Sequence, residues 1–310
     1  MTRVAAVDCG TNTIKLLVAD IDPGAGTEES LVRELRIVRL GEGVDRTGRL
    51  SEQALQRVFA ATEEYARIVE QHRVEALRFV ATSAARDAEN AEAFIDGIRQ
   101  RIGVDPEVAT GDEEAQLTFD GATRTLTEAA EPLAVVDIGG GSTELVTGVS
   151  GRVDAARSLD IGSVRVTERL MPSDPPTAAQ WEAAVAFVDE ALDTLPSYGV
   201  RLGEAHTLVG VAGTVTTVAA VLLGLTEWDR DRVHHASFEV DAVHELTERL
   251  LAMTAAQRQG LGIPAGRADV IGAGAVILDR VLRRSGADEL LVSDSDILDG
   301  IAWSVARSLG

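Results

Sequence analysis

Val4-Ala5-Ala6-Val7-Asp8-Cys9-Gly10-Thr11-Asn12-Thr13 is an apolar run ending in Asp-x-Gly and small polar residues. Ala134-Val135-Val136-Asp137-Ile138-Gly139-Gly140-Gly141-Ser142-Thr143-Glu144 repeats that plan about 130 residues later. Each reads as a buried strand that delivers a carboxylate to its end, followed by a tight glycine turn that exposes backbone N–H groups and hydroxyls. Such a turn can cradle phosphate oxygens, and the Asp can hold a divalent metal that neutralises them. Strand–Asp–Gly turns are common in α/β proteins, so one alone says little. The duplication points to a phosphate clamp made of two facing loops.

The flanking sequence carries the same programme twice. Residues 3–8, 14–20 and 31–40 are rich in Val, Ile and Leu and read as strands. Asp22-Pro23-Gly24-Ala25-Gly26 is a turn. Ser51 caps a helix whose apolar positions Leu55, Val58, Phe59, Tyr65, Ile68 and Val69 keep helical spacing. A strand at 77–81, a helix at 89–101, a short strand at 107–109 and a helix from Gly111 towards residue 125 follow. The second half offers strands at 133–137, 143–149 and 152–159, a helix from Ser163, and another at 177–195. A strand at 206–211 then meets Ala212-Gly213-Thr214 and runs into a helix. Helices at 240–253 and 267–283, a strand at 288–292 and a helix at 297–308 close the chain. The expected fold is α/β, with duplicated domains at 1–126 and 127–296 and a boundary in the small, acidic stretch from Thr127 to Pro132.

With 310 residues, of which 45% are hydrophobic, two α/β domains are the default. No run approaches the roughly 18 consecutive apolar residues of a membrane helix. Met1-Thr2-Arg3 leads straight into a strand with no signal-peptide core. The single cysteine, Cys9, excludes an intrachain disulfide and fits a reducing cytoplasm. A net charge of −21 argues against binding a nucleic acid polymer. A small polyanion would have to be held by local arginines, backbone dipoles and metal. Lys15 is the only lysine; strand alternation leaves open whether it reaches phosphate or solvent.

Five segments, in order, resemble the exopolyphosphatase/guanosine pentaphosphate phosphohydrolase family, within the sugar kinase–Hsp70–actin superfamily. They are Asp8-Cys9-Gly10-Thr11-Asn12-Thr13, Ala81-Thr82-Ser83-Ala84-Ala85-Arg86, Thr110-Gly111-Asp112-Glu113-Glu114-Ala115, Asp137 to Glu144, and Gly210-Val211-Ala212-Gly213-Thr214. Thr11, Thr13 and Thr110 stand where the family usually has Ser, which keeps the hydroxyl. The resemblance implies two ribonuclease H-like domains with an interdomain cleft, and a closing helix 297–308 that packs back on the first domain. It also implies a homodimer and a place in the stringent response.

Phosphoanhydride hydrolysis asks for bound anionic oxygens, a neutralising metal, an in-line water and a base. Gly10, Thr11, Asn12 and Thr13, Gly139, Gly140, Gly141, Ser142 and Thr143, and Gly213 with Thr214 are the candidate phosphate donors. Arg86 is a fork-shaped cation suited to phosphate. Asp8, Asp137 and Glu144 are candidate ligands for Mg²⁺, with Mn²⁺ as the alternative; Glu144 could instead pair with an arginine. By resemblance, Glu114 is the catalytic base. Glu113 and Glu114 lie in the first turn of a helix and point in different directions, so only one can face a cleft. The leading expectation is an exopolyphosphatase that releases terminal orthophosphate from inorganic polyphosphate, with hydrolysis of guanosine pentaphosphate (pppGpp) at its 5′ end as the alternative. A superfamily kinase or a non-catalytic nucleotide sensor is the alternative of another class. The kinase would need an acceptor motif that the chain does not display.

Overall fold

The first apolar run forms β1 (Thr2–Cys9), whose residues from Val4 onward are buried. It pairs antiparallel with β2 (Thr13–Asp22) and parallel with β4 (Ala76–Ala81). With β3 (Thr27–Ile37) and β5 (Glu107–Val108) it makes a five-stranded sheet in the order β3-β2-β1-β4-β5. Alternate residues of β1 serve two cores, which is why its sequence reads as a continuous apolar run. Ala5, Val7 and Cys9 pack with Val58, Tyr65, Phe94 and Ile98 of the helices Glu52–His72 and Ala91–Ile102. Val4 and Ala6, with Leu17, Ala19, Ile21 and Val80, pack against Ile297, Leu298, Ile301 and Trp303 of the helix Ile297–Leu309.

The computed structural model describes residues 1–309 and divides the chain at Gly121/Ala122 and again at Asp296/Ile297. The first unit is Met1–Gly121 with the helix Ile297–Leu309; the second is Ala122–Asp296. The second unit is therefore inserted into the first. The returning helix is anchored by an ion pair between Asp299 and Arg33 and by Trp303, whose Nε1–H donates to Glu28 Oε2 at 2.6 Å.

In the second unit β6 (Leu133–Ile138) takes the place of β1. It lies antiparallel to β7 (Thr143–Val149) and parallel to β9 (Thr207–Val211). With β8 (Arg152–Leu159), β10 (Ser237–Glu239) and β11 (Glu289–Val292) the sheet runs β10-β11-β9-β6-β7-β8. Apart from the three-residue β10, the order β8-β7-β6-β9-β11 repeats that of the first sheet. Both are the ribonuclease H-like arrangement that the family resemblance implies.

The two hairpins correspond residue for residue. Asp8 faces Lys15 and Cys9 faces Ile14 across the first, with Gly10 N–H donating to the Thr13 carbonyl at 2.9 Å. Asp137 faces Glu144 and Ile138 faces Thr143 across the second, with Gly139 N–H donating to the Ser142 carbonyl at 3.0 Å. Element bounds differ from the sequence reading where tertiary contacts take over. β3 stops at Ile37 rather than residue 40, because the Val38 and Arg39 amides both turn to the Asn12 carbonyl at 2.9 Å. The helix read as 267–283 begins at Ile271, after a separate turn at Ala265–Ala268.

Gly300 marks the tightest fit of the returning helix. A Cβ there would lie 1.9 Å from the Leu117 carbonyl oxygen, a backbone atom on the helix Gly111–Thr123. Gly300→Ala is expected to cost about 2–3 kcal/mol, the upper part of the range for overpacking, seen as a lower urea midpoint. An unchanged midpoint would show that the two helices separate freely.

Candidate active site

In the second unit the turn 139–142 is backed by the helix Ser163–Leu170. The Ser163 amide and hydroxyl donate to the Gly139 carbonyl at 2.9 and 3.2 Å. The Val164 and Arg165 amides donate to the Gly140 carbonyl at 2.9 and 3.1 Å. Arg165 Nε–H donates to the Gly141 carbonyl at 2.7 Å. Three consecutive carbonyls thus point towards the helix. In a planar trans peptide C=O and N–H point opposite ways, so the amides of Gly140, Gly141 and Ser142 point away from it. This is a concave donor array of the kind that binds anions. The approach is close enough to require glycine at position 162, where a Cβ would lie 2.3 Å from the Gly140 carbonyl oxygen.

The first loop is held the same way from the exit of β3. The Gly41 amide donates to the Thr11 carbonyl at 2.8 Å, while Val38 and Arg39 hold the Asn12 carbonyl. Gly41 is the counterpart of Gly162, since a Cβ there would lie 2.3 Å from Thr11 Cγ2. The Thr11 hydroxyl is shared with Ser83 Oγ at 2.9 Å. Thr143, expected to offer a hydroxyl to phosphate, is fully buried and donates it to the Ile161 carbonyl. Its role is to hold the loop rather than to touch a ligand.

The Glu113-Glu114 pair is resolved by capping. Glu113 Oε2 accepts from the Thr110 amide and hydroxyl at 2.9 and 3.0 Å, and Thr110 Oγ1 accepts from the Glu113 amide at 3.2 Å. This is a reciprocal helix cap, and the Thr110 amide in particular holds the Glu113 carboxyl below its usual range. Glu113 is exposed and spent on its own helix. Glu114 is turned inward, 7% exposed, with Oε2 at 3.1 Å from Arg86 Nη1. The same Arg86 nitrogen donates to the Ala109 carbonyl at 2.9 Å. Arg86 therefore joins the strand–helix connection to the inward carboxylate.

The cross-strand partners of the two loop aspartates differ in sign. Lys15 does not point to solvent; its Nζ lies 3.3 Å from Asp8 Oδ2, and both side chains are largely buried. Asp137 and Glu144, directly paired across β6 and β7, place two buried carboxylates on one face. Ser158 Oγ–H donates to Glu144 Oε1 at 2.7 Å. Among the described residues no three His, Cys, Asp or Glu side chains gather closely enough to form a metal site by themselves. The Asp137–Glu144 pair suits a hard cation that takes its remaining oxygens from water and phosphate. Asp8, already facing an ammonium, suits it less.

The model of the Ppx/GppA phosphatase family matches residues 17–308. The chain belongs to the Ppx/GppA phosphatase family. Exopolyphosphatase 2 of Mycobacterium tuberculosis is 45% identical, covering 99% of each chain. The crystal structure of an exopolyphosphatase-like protein superposes with a TM-score of 0.95 at 43% identity, covering 100% of this chain and 99% of that one. A guanosine-5′-triphosphate,3′-diphosphate pyrophosphatase of Photobacterium profundum is 32% identical over 71% of this chain and 43% of its own length.

Within this Ppx/GppA member the Gly213-Thr214 turn is occupied by a residue that the sequence reading passed over. Arg267 Nη1 donates to the Gly213 carbonyl at 3.2 Å and to Thr217 Oγ1 at 3.0 Å. Burial pulls its guanidinium pKa down, opposed by Asp294 and Asp296. A Cβ at Gly213 would lie 2.7 Å from Arg267 Nη2, so this glycine makes room for an arginine. Thr214 is buried, with its side chain against Gly274. No local pattern marks Arg267, because it stands 54 residues from its acceptor.

Cys9 sits in the first loop but faces the core, and burial pushes its thiol pKa well up. A protonated, enclosed thiol is unreactive. Native protein is expected to resist iodoacetamide at pH 8 and to take up one equivalent after unfolding in guanidinium, read by mass spectrometry. Rapid native labelling would place the thiol on an accessible face.

Proposed function

We propose that this chain is a metal-assisted phosphoanhydride hydrolase that removes the terminal orthophosphate of inorganic polyphosphate, working in the cytoplasm. The observation that carries the reading is the inward Glu114 carboxylate held by Arg86, while its neighbour Glu113 is consumed as a cap. Hydrolysis needs a positioned acceptor for a water proton, and the burial of Glu114 beside Arg86 supports that role for it. Glu114 takes the proton as water attacks the terminal phosphorus. The anhydride P–O bond opposite the incoming oxygen breaks, and the shortened chain leaves with that oxygen. In the second unit the amides of Gly140, Gly141 and Ser142 form a donor array suited to anionic phosphate oxygens. Arg86 uses Nη1 for Glu114 and Ala109, and its Nε and Nη2 make no hydrogen bond among the described residues, which leaves them for phosphate. A Mg²⁺ held by Asp137 and Glu144 would supply neutralisation of phosphate charge. Hydrolysis of the 5′-terminal phosphate of pppGpp, and with it a part in the stringent response, is the second reading. It is favoured by the Photobacterium relative, whose name is that activity.

Phosphate release from long polyphosphate, tripolyphosphate, pppGpp and ATP, each with and without Mg²⁺, tests the proposal. Release from polyphosphate ends without an organic acceptor supports it. No release from any of the four overturns it. Glu114→Gln is expected to lower kcat by roughly 10²–10⁴-fold, the range of a positioned general base, with KM nearly kept. Asp137→Ala and EDTA should each abolish turnover. Full activity after rigorous chelation would remove the metal from the mechanism. Arg86→Ala should raise KM and lower kcat. Arg86→Lys should recover only part, because lysine cannot reproduce two parallel hydrogen bonds.

A further inference from the structure

We infer that Arg165 is a positioning residue that sets the direction of the Ser142 amide in the second phosphate loop. The inference rests on the reading that this loop grips phosphate. The two loops share a backing scheme, and one difference between them concerns the carbonyl of the third loop residue. In the first, the carbonyls of Thr11 and Asn12 are both held by main-chain amides, from Gly41 and from Val38 with Arg39. In the second, the equivalent Gly140 carbonyl is also held by main-chain amides, but the Gly141 carbonyl is held by the Arg165 side chain. A side chain has taken over the work of a backbone amide.

The peptide concerned is Gly141–Ser142. Glycine at 141 gives it unusual conformational freedom. Its carbonyl accepts from Arg165 Nε at 2.7 Å, a short, charge-assisted bond. The side chain of Arg165 is 12% exposed, with Asp160 at 3.9 Å from Nη2. The neighbouring peptides are secured separately, Gly139–Gly140 by Ser163 and Gly140–Gly141 by the Val164 and Arg165 amides. Of these three loop peptides, Gly141–Ser142 is therefore the one whose carbonyl loses its donor with the guanidinium. The Ser142 amide would then no longer be fixed in the donor array, while those of Gly140 and Gly141 would be. Arg165 does not need to touch the substrate to do this.

The test uses Arg165→Met, which keeps the stem and removes the donor, and Arg165→Lys, which can still place one N–H on the Gly141 carbonyl. Tripolyphosphate with Mg²⁺ is the probe, read by amide chemical shifts of Gly140, Gly141 and Ser142 and by phosphate-release kinetics. In the wild type all three amides should shift on binding. In Arg165→Met the Ser142 response should be lost with the two glycine responses kept, and kcat/KM should fall roughly 10–100-fold, the usual scale for a hydrogen bond to a charged group. Arg165→Lys should restore the Ser142 response and most of the activity. A wild type whose loop amides ignore bound tripolyphosphate would overturn both the inference and the loop reading. Wild-type loop responses together with an unchanged Ser142 shift and unchanged kinetics in folded Arg165→Met would overturn the inference alone. So would a folded Arg165→Lys that fails at Ser142, whatever Arg165→Met does.

Discussion

The site depends on a constraint of the peptide bond. Because a planar trans peptide sets its N–H opposite its C=O, a loop can be made to present amides to an anion only by occupying its carbonyls on the other side. Both loops do this, one with the segment 38–41 and the other with 162–165. Each backing segment comes within reach because a glycine, Gly41 or Gly162, lets two stretches of chain approach where a methyl group would collide. The donor geometry therefore depends on the segments behind the loops as much as on the loops themselves.

The duplicated frame has been adapted differently in its halves. At the position opposite the loop aspartate the first hairpin has Lys15 and the second Glu144. The first unit thus sets an ammonium beside its loop aspartate, and the second sets another carboxylate across the hairpin from its own. In a chain of net charge −21, attraction for a polyanion has to be local. Lys15, Arg86, Arg165 and Arg267 are half-buried or buried cations near the loop and turn segments, where solvent screens them less than surface charges.

Much of this was legible in the sequence. The doubled strand–Asp–Gly turn gave the two units and the centre of each sheet, because a strand buried on both faces is apolar throughout. The strands at 143–149 and 152–159 also came out at their observed bounds. Other features depend on contacts remote in sequence. β3 ends early to serve the first loop. The fate of the Thr143 hydroxyl is decided by a carbonyl 18 residues away. Arg267 reaches across from another helix to Gly213. Glu113 and Glu114 show an intermediate case: Thr-x-x-Glu is a readable capping box, and noticing it would have assigned Glu113 to the cap without a structure. Lys15 was readable too, by counting outward from the two turns to its counterpart Glu144.

The nested order of the units bears on how the chain is made. The face formed by Val4, Ala6, Leu17, Ala19 and Ile21 is covered by a helix that follows all of Ala122–Asp296 in sequence. At about 5–20 residues per second of synthesis, that face waits on the order of ten seconds or more for its cover. The inserted unit has all its strands before then. On the ribosome the second unit is free to mature first, leaving the first unit, with Glu114, as a half-built nascent surface that needs shielding from its neighbours. A growing chain of this design therefore gains its hydrolytic competence late, near the end of translation.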